Sequence, residues 1–476
     1  MSTIKPTSCN ESSHGINEKI REKIVRFVFL IYLLLILEGA IRKWLMPGLG
    51  EFIFFIRVPV TLWLYLFVWR RGVWPRPYKF LVFGLSIAIV GLLLIPFQMI
   101  VGGYSAQHLI LAGYGWINYF FYIPLVFIIA EHLHLSDLQR LIKITLLLAI
   151  IATPLAVLQL FSPANSSIVQ GFGTGPMNQF VGLGFGYANK ARPMGFFTSS
   201  VGQQMFISST LCFVIAVWIV PTFRKNISAL LRYGSTIAVM ILIGVSLQRG
   251  ALVHAGIVLV FTLLGGVLAF RRSMFLKSVI YPFVFVVLGL TIVTVWFPSA
   301  YEMFMVRLGF MESSYIMPTS LGLFDRIIHE LTRFVLIIEH VPITGYLLGM
   351  GGNASSQLSW VDLPEIWTSW DGSHGFAEDG LSRNIVELGP VIGFIFIYYR
   401  YSFFLSLFNK ALFMARNGSP FPMMLIGFLG PLLLTMQMTG HGTIIGYAWM
   451  FIGFTMVSIR EAKSHNLEKL TAKKIT

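Results

Sequence analysis

The chain has 476 residues, of which 56% are apolar and 15% aromatic, while only 12% are charged. Soluble domains carry about twice that charge, so this composition and a mean hydropathy of +0.76 exclude a disordered, fibrous or ordinary cytosolic protein. The 35 basic and 20 acidic residues give a formal charge of +15. The basic residues stand in short clusters between apolar runs, which is typical of membrane topology and not of nucleic-acid binding. The sequence therefore predicts a polytopic integral membrane protein.

Apolar runs long enough to cross a bilayer recur along the chain. A hydrocarbon core of ~30 Å needs about 20 helical residues, and helices are expected because lipid offers the backbone no hydrogen-bonding partner. The sequence thus predicts an all-α fold of about 12 transmembrane helices, forming a single transmembrane domain over 1–476. The predicted spans are 24–41, 52–69, 80–101, 109–130, 141–161, 203–221, 229–247, 251–270, 278–297, 384–405, 420–437 and 443–459.

The distribution of Lys and Arg between alternate loops predicts the orientation of these spans. One set of loops and tails holds 24 of these residues, and the short segments of the other set hold five. Because positively charged loops stay on the cytoplasmic side, both termini are predicted to be cytoplasmic.

Two segments on the predicted outer side are longer than the other connections. Residues 162–203 contain eight glycines, and residues 298–383 form a large extracytoplasmic loop between predicted spans nine and ten. The large loop gathers ten acids against four arginines and contains three tryptophans. Loops of this length are usually functional or disordered, and the aromatic residues favour order. Apolar residues at helical spacing predict an amphipathic helix over 324–338, packed on the bundle or lying in the membrane interface.

Arginines beside the membrane are the first candidates for chemistry, since no phosphate-binding Gly-Lys-Ser/Thr loop, His-Glu-x-x-His or Gly-x-Ser-x-Gly occurs. Arg249 stands in a tight turn between two apolar runs. It either snorkels to the interface, as arginines at helix ends do, or binds a phosphate through two parallel hydrogen bonds. Arg192 is predicted at the same membrane level, with Lys190 two residues away. A diphosphate needs two or more cations, so these three residues are candidate diphosphate ligands.

A second group of candidates leads into the predicted tenth span. His374 or a carboxylate such as Glu378 could take a proton from a sugar hydroxyl, although a loop histidine is more often a hydrogen-bonded surface residue. Glu387 falls inside an apolar run, where a carboxylate is costly unless it is paired. Arg383 lies one helical turn before Glu387 and could pair with it for purely structural reasons.

Other charges and the cysteines give weaker signals. Glu38 and Arg42, four residues apart, predict an ion pair at the outer end of the first span. Arg57 is either a buried structural charge or part of a cavity. Cys9 and Cys212 are predicted on different levels of the bilayer, so no disulfide is expected. No outer cluster has the ligand spacing of a catalytic metal site, so neither a metal nor a cofactor is expected.

Four short motifs stand in order within roughly 180–400. They are Arg192-Pro-Met-Gly-Phe-Phe; Gln248-Arg249-Gly250-Ala251-Leu252; Asp325-Arg326 followed by His340-Val-Pro-Ile-Thr-Gly345-Tyr-Leu-Leu-Gly349-Met-Gly351; and Asn384-Ile-Val-Glu387-Leu-Gly389-Pro-Val-Ile-Gly393. Together they resemble the O-antigen ligase and polymerase superfamily, the Wzy/WaaL-type membrane glycosyltransferases. The turns at 39–48 and 54–59 are similar to those of exopolysaccharide polymerase-like members.

This resemblance implies an enzyme at the outer face of the inner (cytoplasmic) membrane. It would transfer or polymerise a glycan carried on a polyprenyl diphosphate, without a nucleotide sugar, a metal or a cofactor, beside a flippase and a chain-length regulator as partners. At the matching positions, Arg326 would join Arg192 and Arg249 in binding the diphosphate. Family members often carry His-Asn nine residues before the Glu of the last motif, where this chain has Glu378. His374 lies four residues earlier, so either residue is the candidate base.

Two other classes of function stay open beside a glycan polymerase or ligase. A lipid-linked glycan flippase or a secondary carrier would often show repeats around a midplane site, and no pairing of the two halves is visible in the sequence. A scaffold for other envelope enzymes would leave the outer arginines without a role. The choice between polymerase and ligase also stays open.

Overall fold

A computed structural model of the chain is helical in the part that it describes. The described residues are 9–102, 106–163, 166–169, 192–269, 272–298, 380–436 and 442–475, together with 301, 305, 332, 334, 335, 337, 338, 341 and 343. Among these residues the structure is 86% helix and contains no strand. The predicted all-α class is confirmed.

Fifteen α-helices are described in this part of the chain. The backbone also forms π-helical turns at Ile41–Leu45 and Ile117–Phe121 and a 3-10 turn at Pro47–Leu49. The helices are α1 (Cys9–Ala40), α2 (Gly50–Phe54), α3 (Arg57–Arg70), α4 (Lys79–Gly102), α5 (Ala106–Trp116), α6 (Ile123–His132), α7 (Leu135–Phe161), α8 (Ser200–Ile219), α9 (Pro221–Asn226), α10 (Ala229–Val245), α11 (Arg249–Leu268), α12 (Arg272–Trp296), α13 (Gly380–Arg416), α14 (Phe421–Leu434) and α15 (Gly442–Ile475).

Eight helices in the described part are long and apolar enough to cross a membrane, which supports a polytopic membrane protein. The predicted number of about 12 is not confirmed, because four predicted spans correspond to shorter apolar helices or short apolar stretches. Within the predicted span 52–69 the helix is interrupted between the end of α2 and the start of α3. α14 has 14 residues, which is about 21 Å and less than the bilayer core. The other two are 229–247, which is the 17-residue α10, and 278–297, which lies in the 25-residue α12, where the apolar stretch among the described side chains is Val287–Trp296.

Several helices begin at residues that satisfy free backbone N–H groups. The Asp137 carboxylate accepts a hydrogen bond from the His134 backbone N–H at 3.0 Å and caps α7. Hydroxyls do the same at α8, where Ser199 accepts from Gly202, and at α10, where Ser228 accepts from Leu231. Such caps define a helix start independently of its apolar length.

α8 lies at the centre of the bundle. In the apolar window of this helix 94% of the residues are buried, compared with 33% for the corresponding window of α4. α8 packs against α7, α10, α11, α14 and α15. α8 is therefore surrounded by other helices along most of its length.

The first and last helices meet at one end of the bundle. The Arg21 guanidinium contacts Asp137 at 2.7 Å, and Arg460 donates to the backbone carbonyl of Glu131 at 2.8 Å. We call this end, where α7 begins, the Arg460 end. The opposite end, where α7 ends and α8 begins, is the Arg192 end.

The predicted helix over 324–338 is described only in part. Residues 332, 334, 335 and 337 are helical. Ile337 and Val341 are buried in a small apolar cluster with Leu381, Ile385 and Val386 of α13, whereas Val335, which was expected on the apolar face, is 54% exposed. The rest of the predicted loop 298–383, apart from its two ends, lies outside the described residues.

Candidate functional site

The segment that carries Arg192 is fixed by a buried glutamine in the last turns of α7. The Gln159 Oε1 atom accepts hydrogen bonds from the backbone N–H groups of Met194 at 3.0 Å and Gly195 at 2.8 Å. Its Nε2 atom donates to the carbonyl oxygens of Gly195 at 3.2 Å and Ile168 at 3.0 Å. One side chain therefore ties two parts of the Gly-rich segment to the helix before it.

The end of α1 approaches the same segment closely. A Cβ atom built on Gly39 would lie 2.7 Å from the Cα of Phe197 and 2.8 Å from the backbone nitrogen of Thr198, so only glycine fits there. The Lys43 Nζ atom, in the π-helical turn that follows α1, donates to the Gly195 carbonyl at 3.2 Å. α1 and the Arg192 segment thus form one packed unit.

Gly195 is required for two separate reasons. Its φ angle is +56°, a region in which a residue with a Cβ is strained. The Gln203 Oε1 atom of α8 occupies the place where that Cβ would stand. Gln203 is 1% exposed, and both polar atoms of its side chain have no hydrogen-bond partner in the described part of the chain.

Arg249 is the first residue of α11 and follows a strained turn. Leu247, two residues earlier, has a φ angle of +53° and is the non-glycine residue with positive φ in the described part. This conformation costs ~1–2 kcal/mol for a residue with a Cβ, and residues held in this way cluster at functional sites. The structure describes the backbone of Arg249.

The turn before α11 packs on the first turns of α8. A Cβ atom on Gly250 would lie 2.6 Å from the Gln204 Oε1 atom, so the Gln204 side chain fills the space beside Gly250. Gln203 and Gln204 are adjacent in α8, and they contact Gly195 and Gly250 respectively. The start of α8 therefore brings the Arg192 segment and the Arg249 turn together.

The local electrostatics at this point favour an anion. α8 and α11 both begin here, and neither carries an acidic residue in its first turn. A helix N-terminus presents a partial positive charge of about half an elementary charge and free N–H groups that bind phosphates. Two helix N-termini and two arginine-bearing segments thus lie at one end of the bundle.

A buried cluster of three charges lies next to this site. Glu38 Oε2 contacts Arg57 Nε at 2.7 Å, and Glu38 Oε1 contacts Arg42 Nη1 at 3.7 Å, as the spacing of Glu38 and Arg42 predicts. Arg57 also donates to the Gly442 carbonyl at 2.8 Å. Arg57 is thus a buried charge that ties α1 to α3 and α15.

The last motif forms a bent helix start that buries an ion pair. Arg383 Nε and Glu387 Oε1 are 3.5 Å apart, with side chains 6% and 1% exposed. α13 bends at Gly389, whose φ and ψ of 80° and 163° suit only glycine. Gly393 then packs against the Asn384 carbonyl oxygen, 2.7 Å from where a Cβ would be. The backbone conformation and close packing thus require glycine at 389 and 393, and Arg383 and Glu387 form the ion pair that their spacing predicts.

Sequence reasoning missed three polar residues, each of which is visible as a polar residue in or beside an apolar run. Gln159 and Gln203 hold the Arg192 segment, as described above. Arg400 is 1% exposed, and its guanidinium donates at 3.1 Å to the backbone carbonyls of Leu432, Leu433 and Met436 at the end of α14. An intramembrane arginine is a functional candidate by default, and here it caps a helix.

Four predicted site residues, Lys190, Arg326, His374 and Glu378, lie outside the described residues. Arg192 and the backbone of Arg249 are brought to one end of the bundle, and Arg383 and Glu387 contact each other. In the described part, no group of three or more His, Cys, Asp or Glu side chains could hold a metal ion.

Comparison with known proteins gives no relative. No protein-family model matches the chain, and neither a curated protein nor a solved structure is significantly similar to it.

Proposed function

We propose that this protein is an extracytoplasmic glycan polymerase or ligase. It transfers an oligosaccharide from a polyprenyl diphosphate to an acceptor glycan, without a metal or a cofactor. The proposal is carried by the start of α8, where Gln203 contacts Gly195 of the Arg192 segment and Gln204 contacts Gly250 of the Arg249 turn. Two of the four motifs that resemble the O-antigen ligase and polymerase superfamily meet at this point.

Diphosphate binding follows from the charges gathered there. A diphosphate is a good leaving group once the charge that develops on it is stabilised, and fixed guanidinium groups and helix N-termini supply that stabilisation. Arg192, Arg249 and Arg326, with Lys190, bind the diphosphate of the donor. Arginine suits this role because its planar group forms two parallel hydrogen bonds with a phosphate.

The orientation of the bundle supports donor binding from the outer leaflet. The loops rich in Lys and Arg predict that both termini are cytoplasmic, and helices α1 and α15 meet at the Arg460 end through contacts with residues 130–137. The Arg192 end then faces outward in the inner (cytoplasmic) membrane. A lipid-linked donor would reach Arg192 and Arg249 from the hydrocarbon side.

The acceptor hydroxyl is activated from the large loop. His374 or Glu378 takes the proton from the attacking sugar hydroxyl. The loop returns to the bundle at Gly380, where α13 begins. The buried Arg383–Glu387 pair and the bend at Gly389 hold this helix start, so that they position the base without contacting the sugar.

Replacement of Arg249 tests the proposal in living cells. Loss of one fixed contact to a developing charge costs ~3 kcal/mol, or about a hundredfold in rate, so Arg249→Ala should abolish polymer while the protein remains at normal abundance in the membrane. Arg249→Lys should restore part of the activity, since a point charge does not reproduce the planar guanidinium. Arg140→Ala, at the Arg460 end with a side chain 70% exposed, is the control and should leave polymer unchanged.

Snorkelling predicts a different outcome, in which Arg249→Ala and Arg249→Lys both make normal polymer. That result would remove Arg249 from the site and contradict the proposal. The leaflet in which lipid-linked units accumulate separates an enzyme from a flippase. If the lipid-linked oligosaccharide that accumulates is accessible to a periplasmic probe, the result supports a polymerase or ligase. If it is confined to the cytoplasmic leaflet, the proposal of a polymerase or ligase is overturned.

A further inference from the structure

Three cationic side chains lie at the end of α1. Arg42 and Arg57 both contact the carboxylate of Glu38. The next residue along the chain, Lys43, forms no ion pair in the described part of the chain, although it is half-buried. A half-buried ammonium without a carboxylate is costly unless other groups compensate its charge.

The backbone around Lys43 is held on both sides. Arg42 Nε donates to the Gly50 carbonyl at 2.9 Å, and Trp44 Nε1 donates to the Ser167 carbonyl at 3.3 Å. The three residues belong to the π-helical turn Ile41–Leu45, and such turns occur frequently at functional sites. The two neighbours of Lys43 therefore help to fix its position, and its ammonium lies 4.5 Å from the centre of the Trp44 ring.

The ammonium of Lys43 faces the segment that carries Arg192. It donates to the Gly195 carbonyl at 3.2 Å, and an ammonium has three donors, so two remain for another group. Arg192 precedes Gly195 by three residues, so the Cα atoms of the two residues are at most ~11 Å apart. The buried amide of Gln203, which lacks a hydrogen-bond partner in the described part, also lies against Gly195.

We infer that Lys43 is a further cationic ligand of the lipid-linked phosphate that binds at the Arg192 end, with the Gln203 amide beside it. This inference rests on the proposed function and adds to it a residue from the first helix. The shared chemistry is a phosphate group attached to a lipid at the membrane interface. A polyprenyl diphosphate and an anionic phospholipid both carry this group, and we assign the site to the diphosphate.

Binding of two lipid probes to the full-length protein in nanodiscs tests the assignment. The probes are undecaprenyl diphosphate without sugar and phosphatidylglycerol, each titrated against nanodiscs of a zwitterionic lipid. Loss of a hydrogen bond to a charged group weakens binding by about tenfold or more, so Lys43→Ala should raise the Kd for the diphosphate by that factor. Lys410→Ala is the matched control, because Lys410 is a lysine near Lys79 and Lys463, on the side of the Arg460 end. The Kd of this variant should equal that of the natural protein.

Lys43→Gln separates a ligand from a structural residue. Glutamine retains a donor for the Gly195 carbonyl but has no charge, so a merely structural role predicts normal binding, whereas the inference predicts a loss close to that of Lys43→Ala. Lys43→Arg should bind nearly as well as the natural protein. Thermal unfolding of each variant, measured on the same samples, shows whether the fold is retained.

The outcomes are distinct from those that test the proposed function. Unchanged diphosphate binding in Lys43→Gln overturns the inference even when Arg249→Ala abolishes polymer. Equal weakening of both lipids overturns the diphosphate assignment in favour of a phospholipid headgroup site. Weakened diphosphate binding in Lys43→Gln, together with normal polymer in Arg249→Ala, would support the phosphate ligand and contradict the glycan polymerase or ligase.

Discussion

Replacement of Glu38 by alanine should destabilise the protein strongly, because this carboxylate is shared by two buried arginines. Glu38 is 7% exposed, Arg42 is 1% exposed and Arg57 is 5% exposed. The carboxylate contacts Arg57 at 2.7 Å and Arg42 at 3.7 Å. Without it, two buried guanidinium groups retain their charges and repel each other. Their other contacts, which include two backbone carbonyls and the Phe54 ring, carry no negative charge.

The size of the effect follows from burial. Removing one partner of a buried ion pair costs ~3–5 kcal/mol because it leaves an uncompensated charge, so Glu38→Ala should lower the free energy of unfolding by about that amount. Arg57→Ala should cost less, since Glu38 then still faces Arg42. Glu22→Ala in the same helix is the matched control. Its partner Arg26 lies 3.6 Å away, but the two side chains are 54% and 78% exposed, and an exposed pair contributes less than about 1 kcal/mol.

Thermal unfolding of purified variants in detergent, with membrane abundance as a second readout, measures these differences. We expect the midpoints to fall in the order Glu22→Ala, Arg57→Ala, Glu38→Ala, with the last clearly lowest. If Glu38→Ala unfolded at the same temperature as Glu22→Ala, the buried charges would have to be compensated by groups other than this carboxylate, and the account of the cluster would be wrong.

Three further predictions test other parts of the structure. Arg400→Leu should lower the unfolding temperature, because it leaves three carbonyl groups at the end of α14, two of them buried, without their donor, and each buried group costs ~1–3 kcal/mol; an unchanged midpoint would contradict the capping role. Gly195→Ala should displace the Arg192 segment through its clash with Gln203 and abolish polymer at near-normal abundance, whereas normal activity would show that the segment tolerates the change. A reporter fused after residue 75 should remain cytoplasmic and one near residue 355 should be exported, and a cytoplasmic reporter at the second position would refute the orientation.

The parts of the fold that follow from local sequence are the ones that could be predicted. An apolar run of 20 residues forms a helix in lipid for reasons within the run itself, so long helices such as α7 and α8 are found close to the predicted spans. Residues four apart on one helix meet whatever surrounds them, and this is why the Glu38–Arg42 contact could be read from spacing. Both kinds of prediction depend only on a few neighbouring residues.

Contacts between distant parts of the chain could not be predicted in the same way. Arg57 donates a hydrogen bond to the carbonyl of Gly442, 385 residues away. The sequence around either residue does not indicate that the two are in contact. The end of α14 also depends on a distant residue, because Arg400 of α13 binds the last backbone carbonyls of α14. The link between the Arg192 segment and α7 depends on Gln159, which the apolar pattern presents only as one polar residue in a span.

The cations at the Arg192 end are bound to backbone carbonyls as well as to a carboxylate. Arg42 and Arg57 both contact Glu38, and they also donate to the carbonyls of Gly50 and Gly442 respectively. Lys43 donates to the Gly195 carbonyl, and two helix N-termini add to the positive potential at this end. Because a ligand that binds the folded state stabilises it, a lipid-linked phosphate that binds there should raise the unfolding temperature of the natural protein more than that of Lys43→Gln.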